Sequence, residues 1–245
     1  MRIVFLGTGG YFATERRQTA CILLPESGMV FDAGSGLYRL PEYLQTSQLD
    51  IFLSHGHLDH ICGLTTLLVP QHASALQQIN VHARQPVLDA IQRHLFNETI
   101  FPVMPNCNWQ PVHQQRTLAN RRRVESMSLK SHPGGSTGYK CTQGEISLAY
   151  ITDTTVDGSY DHFIRGVDLL IHECYFRDDM ADWAEKTGHS HTTAVAELAA
   201  RTCVKRLILV HVDPTQVSDD PIDLQQARTL FPQTELATDL YEIQL

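Results

Sequence analysis

The stretch Ser54-His55-Gly56-His57-Leu58-Asp59-His60 sets three imidazoles and a carboxylate within six residues, directly after the apolar run Ile51-Phe52-Leu53. Neutral imidazole and carboxylate oxygen suit zinc or a similar first-row divalent cation. Side chains at alternate positions of an extended loop, His55 and His57, can converge on one ion. Asp59 and His60 follow where the chain turns toward a helix-like segment from Ile61, so they can face a second ion. A lone His-x-His would be better explained as a histidine-rich surface loop; four donors at the end of an apolar strand favour metal.

Further donors recur where other apolar runs end. Val124 to Ser131 reads as a strand that delivers His132 before the glycine-rich turn Gly134-Gly135-Ser136-Thr137-Gly138. Ile146-Leu148-Tyr150 alternates and runs into Asp153, whose two oxygens can bridge two cations as a histidine cannot. Val167 to Ile171 leads to His172 and Glu173, and Leu207 to Val210 leads to His211. Ligands at the ends of different strands can gather along one rim of a sheet while lying far apart in sequence. His189 and His191 precede a helix expected over Thr192 to Arg201, with Thr192 or Thr193 as its N-cap.

The remaining elements are those needed to position these groups. Strands are expected at Arg2 to Leu6, Thr19 to Leu24, Met29 to Phe31 and Ile79 to His82, and helices over Leu37 to Leu44 and from Pro86 to Leu95. Asp32, at the end of one of these strands, is either a hydrogen-bonding support for the metal loop or a helix cap. Phe101 to Pro111, with three prolines and Trp109, reads as an irregular loop. The two halves look alike, strands followed by helices, without an internal sequence repeat.

At 245 residues, 42% hydrophobic and 19% charged, the chain reads as one globular domain spanning 1–245, with no linker or charge block to divide it. The apolar run Ile3-Val4-Phe5-Leu6 is too short for a signal peptide, and nothing approaches a membrane span. Six scattered cysteines without a Cys-x-x-Cys pair fit free thiols in a reducing cytoplasm. A formal charge of -8 argues against a broadly basic nucleic-acid surface. Arg121-Arg122-Arg123 is the one basic cluster, better explained as a solvated turn than as a phosphate grip.

His55-Gly56-His57-Leu58-Asp59-His60, with Gly63 behind it, resembles the metallo-β-lactamase superfamily, which implies an α/β fold in the form of a four-layer αββα sandwich. Thr152-Asp153-Thr154, Ile171-His172-Glu173, His189-Ser190 and Leu207-Ile208-Leu209-Val210-His211 narrow the likeness to ribonuclease Z and its phosphodiesterase relatives. Phe5-Leu6-Gly7-Thr8-Gly9 and Phe31-Asp32-Ala33-Gly34 are similar too, so the likeness covers nearly the whole chain. Three departures stand out. His132 and Asp153 are only 21 residues apart, which leaves no room for the family's inserted tRNA-gripping arm. The last ligand is followed by Val212-Asp213-Pro214-Thr215, and the N-terminal Pro and Arg-Asn region is replaced by Phe12-Ala13-Thr14-Glu15-Arg16-Arg17. All three touch the substrate-binding side and spare the chemistry.

The resemblance implies that His55, His57 and His132 hold one metal, Asp59, His60 and His211 the other, and Asp153 bridges them. Two divalent cations are implied, zinc first, with manganese or iron according to supply. Asp59 would orient the attacking water, His189 would serve the leaving group, and Glu173 would orient His189; His172 and His191 are supporting or structural. The implied activity is hydrolysis of a phosphodiester, either a small or cyclic nucleotide or an RNA 3′ end. The alternatives are tRNA 3′-processing proper and a lactone or thioester hydrolase using the same metals. A homodimer enters by analogy with relatives.

Overall fold

A computed structural model of the chain describes residues 1–73, 75–118 and 122–245. Contacts divide it into two compact units, Met1–Val112 with Thr238–Leu245, and His113–Ala237. The strands of the first unit are β1 (Arg2–Gly7), β2 (Cys21–Leu24), β3 (Met29–Phe31), β4 (Gln48–Phe52), β5 (Gln78–Ala83) and β6 (Asn108–Pro111). The second unit holds β7 (Gln115–Thr117), β8 (Arg123–Leu129), β9 (Ser136–Gln143), β10 (Ile146–Ile151), β11 (Leu169–Glu173), β12 (Leu207–Val210) and β13 (Thr234–Leu236). The last strand, β14 (Glu242–Gln244), returns to the first unit.

Both sheets are mixed, and they are built alike. The first runs β14-β1-β2-β3-β4-β5-β6, antiparallel from β14 to β3 and parallel from β3 to β6. The second runs β13-β12-β11-β10-β9-β8-β7, parallel from β13 to β10 and antiparallel from β10 to β7. Connection length accounts for the switch, since a tight turn can join antiparallel neighbours whereas parallel ones need a crossover. The short turn Pro25–Ser27, closed by Gly28 at φ 63°, joins β2 to β3; helical segments lie between β3 and β4 and between β4 and β5. The likeness of the two halves thus lies in the pairing pattern.

Each unit buries its own core. In the first, Val4, Leu23, Ile51 and Val81 from the sheet pack with Leu37, Leu64, Leu67, Leu88 and Ile91 from helical segments. In the second, Ile151, Leu170 and Leu209 pack with Val195, Leu198 and Ala199. The latter three lie on one face of the helix Thr192–Arg201, which has the bounds its apolar spacing predicts. Leu207-Ile208-Leu209-Val210 is buried along its whole length, as a strand covered on both faces must be.

Parallel pairing brings carboxyl ends side by side, and in open α/β sheets ligands bind beyond those ends. Phe31 lies opposite Phe52, so Asp32 and the 54–60 stretch leave the first sheet at the same edge. Ile151 lies opposite His172, and Glu173 opposite Val210, so Asp153, Glu173 and His211 share one edge of the second. The β9-β10 hairpin, turning at Gly144 with φ 62°, occupies the interval between His132 and Asp153, and no arm interrupts it.

Several local expectations need correction. The segment 101–111 is irregular only in part, because its last four residues form β6 alongside β5. A helix begins at Leu58 rather than Ile61, which places Asp59 and His60 in its first turn. The glycine turn after His132 stops at Gly135; Gly138 lies within β9, where the absence of a side chain lets Ile151 approach closely. The N-cap of the helix at 192–201 is His191, and the Asp178 carboxylate accepts from the Thr193 amide.

Candidate active site

In the first unit, the β3 end supplies the scaffold for the histidines. Asp32 is fully buried and its carboxylate accepts from the Ser54 amide at 2.7 Å, the Ser54 hydroxyl at 2.8 Å and His60 Nδ1 at 2.8 Å. The Ser54 hydroxyl gives its proton to Asp32, which leaves Ser54 Oγ to accept from His55 Nδ1 at 3.0 Å. Both histidines therefore keep their proton on Nδ1 and present the Nε2 lone pair, the tautomer a metal ligand needs. The His55 ring lies 4.4 Å from that of His57 and 4.3 Å from that of His60, centroid to centroid. Asp59 Oδ2 sits 3.3 Å from His60 Nε2 and accepts from the Tyr11 amide at 2.8 Å.

In the second unit, the same logic recurs with different supports. His132 Nδ1 lies 3.3 Å from the Gly188 carbonyl, and its Nε2 lies 3.6 Å from Asp153 Oδ2. The other oxygen, Oδ1, lies 3.4 Å from His211 Nε2 and accepts from the Thr152 hydroxyl at 2.6 Å. Each oxygen of one buried carboxylate therefore faces a different imidazole. Asp153, His189 and His211 bring ligand atoms within 4.8 Å of one another. The donor set of imidazole nitrogen and carboxylate oxygen fits a first-row divalent cation.

Left-handed backbone aims three of these groups. Asp32, Asp153 and His211 have φ of 55°, 49° and 57°, a region that non-glycine residues seldom occupy. Each is the first or second residue beyond a parallel strand, where the reversal turns the side chain out of the sheet. Strain of this kind costs about 1–3 kcal/mol per residue and persists where function requires the geometry.

Glu173 and His189 form a buried pair. Glu173 is fully buried, and its carboxylate lies 3.1 Å from His189 Nδ1 while accepting from the amides of Thr154 at 2.7 Å and Ser190 at 3.2 Å. Three donors on one carboxylate fix its orientation, and with it that of the His189 ring. Tyr175 stacks on that ring at 4.7 Å with planes 21° apart, a contact the sequence does not announce. A cavity of 390 Å³ adjoins His189, lined among others by Asp157, Asp182, Glu185 and His191.

The remaining candidates separate by surroundings. His172 is fully buried, its Nδ1 donating to the Glu173 carbonyl at 2.7 Å and its Nε2 accepting from the Tyr160 hydroxyl at 2.9 Å. That arrangement is structural. His191 pairs with Asp178 at 2.7 Å in an exposed position. Arg121 lies outside the described residues; Arg122 donates to Gln143 at 3.0 Å and Arg123 pairs with Glu125 at 3.0 Å.

A family model for the beta-lactamase superfamily domain matches residues 29–212, and the chain belongs to that superfamily. Ribonuclease Z from Prochlorococcus marinus (strain NATL1A) is 28% identical over 311 residues, covering 100% of this chain and 99% of that one. The metallo-beta-lactamase fold protein YhfI from Bacillus subtilis has a TM-score of 0.84 at 20% identity, covering 99% and 98% of the two chains. The short form of human tRNase Z has a TM-score of 0.77 at 23% identity, with coverage of 100% and 99%. The two mixed sheets with their helices are thus the metallo-β-lactamase fold.

Proposed function

We propose that this protein is a metal-dependent hydrolase that cleaves phosphodiester bonds, ribonuclease Z-like in chemistry and without the tRNA-gripping arm. The observation that carries this reading is Asp153, whose two oxygens lie 3.6 Å and 3.4 Å from Nε2 of His132 and His211. Each oxygen of that carboxylate faces a different imidazole, which would suit it to serve two cations at once. The first unit offers four donors without a bridge, and the second offers the bridge with two flanking histidines. In this reading His55, His57 and His132 would hold one ion and Asp59, His60 and His211 the other. When bound, two such cations lower the pKa of a water and stabilise charge on the attacked phosphorus.

The protein's own groups divide the proton transfers. Asp59 orients the attacking water and takes its proton. His189, with Nδ1 against Glu173, would act as an imidazolium that the Glu173 carboxylate stabilises, give its Nε2 proton to the leaving alkoxide and be left as the neutral imidazole. Zinc is the first choice of cation, the cytoplasm the compartment and a homodimer the assembly in this reading. No described helix is long and apolar enough to cross a membrane.

The preferred substrate is a compact phosphodiester. The short His132–Asp153 interval supports it, as do the carboxylates of Asp157, Asp182 and Glu185 in the cavity beside His189, which would repel a polyanion. RNA 3′ ends remain the second substrate class, because the 28%-identical relative is a ribonuclease Z. Assaying bis(p-nitrophenyl) phosphate, a cyclic nucleotide, a tRNA precursor and a thioester side by side tests the reading. Turnover of the phosphodiesters is expected, and turnover of the thioester alone would overturn it.

A further inference from the structure

The loop between β1 and β2 is anchored at its base and apolar at its tip. Asp239 accepts from the Thr8 amide at 3.1 Å, the Thr8 hydroxyl at 2.8 Å and the Gln18 amide at 2.7 Å, and Gly9 bridges Thr19. Arg39 pairs with the same carboxylate at 2.7 Å, so the anchor is both charged and crowded. Within the loop the Phe12 amide bonds to the Gly10 carbonyl at 2.8 Å, a three-residue turn with Tyr11 at its centre and φ 59°. Thr14 Oγ1 accepts from the amides of Arg16 at 3.3 Å and Arg17 at 3.1 Å, closing the return limb.

This scaffold holds two aromatic rings out in water. Tyr11 is 73% exposed and Phe12 46% exposed, and their rings meet edge to face at 5.6 Å. The Tyr11 amide donates to Asp59 Oδ2 at 2.8 Å, so the pair is tied by one hydrogen bond to the carboxylate assigned to the attacking water. Large rings exposed on a strained turn gain little for folding, and the backbone that carries Tyr11 is bonded to the group that would handle substrate.

We propose that Tyr11 and Phe12 form a stacking platform for the nucleobase of a phosphodiester substrate, which makes the loop a determinant of substrate choice. The inference rests on the phosphodiesterase reading and deepens it: the substrate carries a nucleobase. Every base has a π face, so such a platform selects a base over no base without reading which base it is. A stacked base contributes roughly five- to a hundred-and-fifty-fold in affinity.

Two measurements on the metal-loaded full chain test it. The first is kcat/KM for thymidine 5′-(p-nitrophenyl phosphate) relative to methyl p-nitrophenyl phosphate, which share a leaving group and differ in the nucleoside. The platform predicts a ratio that falls at least about five-fold in Phe12→Ala and in Tyr11→Asn, a residue that tolerates left-handed backbone and keeps the amide. Phe12→Trp should keep or raise the ratio. An equal fall for both substrates would make the loop a support for Asp59 alone and overturn the proposal. The second is calorimetric binding of AMP against ribose 5-phosphate, which needs no turnover. Tighter AMP binding that is lost in the two ring variants supports the platform; equal binding to the wild-type protein overturns it. Hydrolysis of neither chromogenic ester, with AMP still preferred, would sink the phosphodiesterase reading and leave the base platform standing. An unchanged substrate ratio, with a loss of self-association in Phe12→Ala by sedimentation, would assign the rings to a dimer contact and overturn the proposal.

Discussion

The carboxylate of Glu173 accepts from the Thr154 amide at 2.7 Å and the Ser190 amide at 3.2 Å while holding His189 Nδ1 at 3.1 Å, so one buried side chain fixes the backbone on either side of the ring it orients. Glu173→Gln keeps the shape but turns a donor toward one of three donors. The account predicts that kcat falls about 10- to 100-fold with KM little changed, the size expected when a support is lost behind a functional histidine. A variant with the kinetics of the parent would show that Glu173 does not position His189.

Asp32 plays the corresponding part for the loop at 54–60. Its Oδ2 holds His60 Nδ1 at 2.8 Å and takes the Ser54 hydroxyl proton. Asp32→Asn is expected to weaken metal binding about 10- to 100-fold, as outer partners of ligating histidines do. Competition with a chromophoric chelator measures it, and unaltered affinity would contradict the tautomer assignment for His55 and His60.

Acid sensitivity should trace in part to His172. Burial holds its imidazole below the ordinary 6.5, against a smaller opposing effect of the Glu173 carbonyl bond. The unfolded chain therefore takes up this proton first as the pH falls. The stability it confers is complete above pH 6.5 and is lost as the pH drops through that value toward the folded pKa. The contribution to the slope is at most about 1.4 kcal/mol per pH unit. The Tyr160 hydroxyl, which donates to His172 Nε2, has its own pKa pushed well up by burial, so it stays protonated throughout. Replacing both, Tyr160→Phe with His172→Phe, should flatten the melting temperature between pH 5 and 7, a range about the ordinary histidine value. A double variant that keeps the full acid slope would put its origin elsewhere.

Gly188 is held at φ 75°, and a Cβ there would lie 2.5 Å from His132 Cα and 2.5 Å from the Ser131 carbonyl. Gly188→Ala combines left-handed strain with a backbone clash, for an expected loss of about 2–4 kcal/mol. Because the Gly188 carbonyl faces His132 Nδ1, metal affinity should fall with stability. Thermal melts with and without added zinc would show both, and a loss of less than about 1 kcal/mol would mean the loop relaxes freely.

Much of this was legible because parallel β strands are apolar along their length and end abruptly. Leu207-Ile208-Leu209-Val210 followed by His211, and Ile146 to Ile151 followed by Asp153, mark both the strand and the place where it delivers a donor. Helix Thr192–Arg201 was legible from its apolar face. The short strands Asn108–Pro111 and Gln115–Thr117 were not, since they are half-exposed edges whose pairing comes from β5 and β8 and not from their own composition. The stacking of Tyr175 on His189 and the bond from Tyr11 to Asp59 leave no spacing signal, because each depends on a turn that only the folded backbone defines. Glu173 was visible as a partner for His189, but its other two donors, the Thr154 and Ser190 amides, were not, since main-chain groups leave no mark in the sequence.

The central claim is that ligands from both units act on one pair of cations bridged by Asp153. Elemental analysis of the purified wild-type protein beside Asp153→Ala and His55→Ala, each paired with its phosphodiesterase rate, tests this most directly. The account predicts about two divalent ions per wild-type chain, loss of metal in both variants, and a fall in rate of at least about a hundred-fold in each. A wild-type protein that turns over phosphodiesters while holding no divalent metal, or an Asp153→Ala variant that keeps both metal and rate, would contradict it.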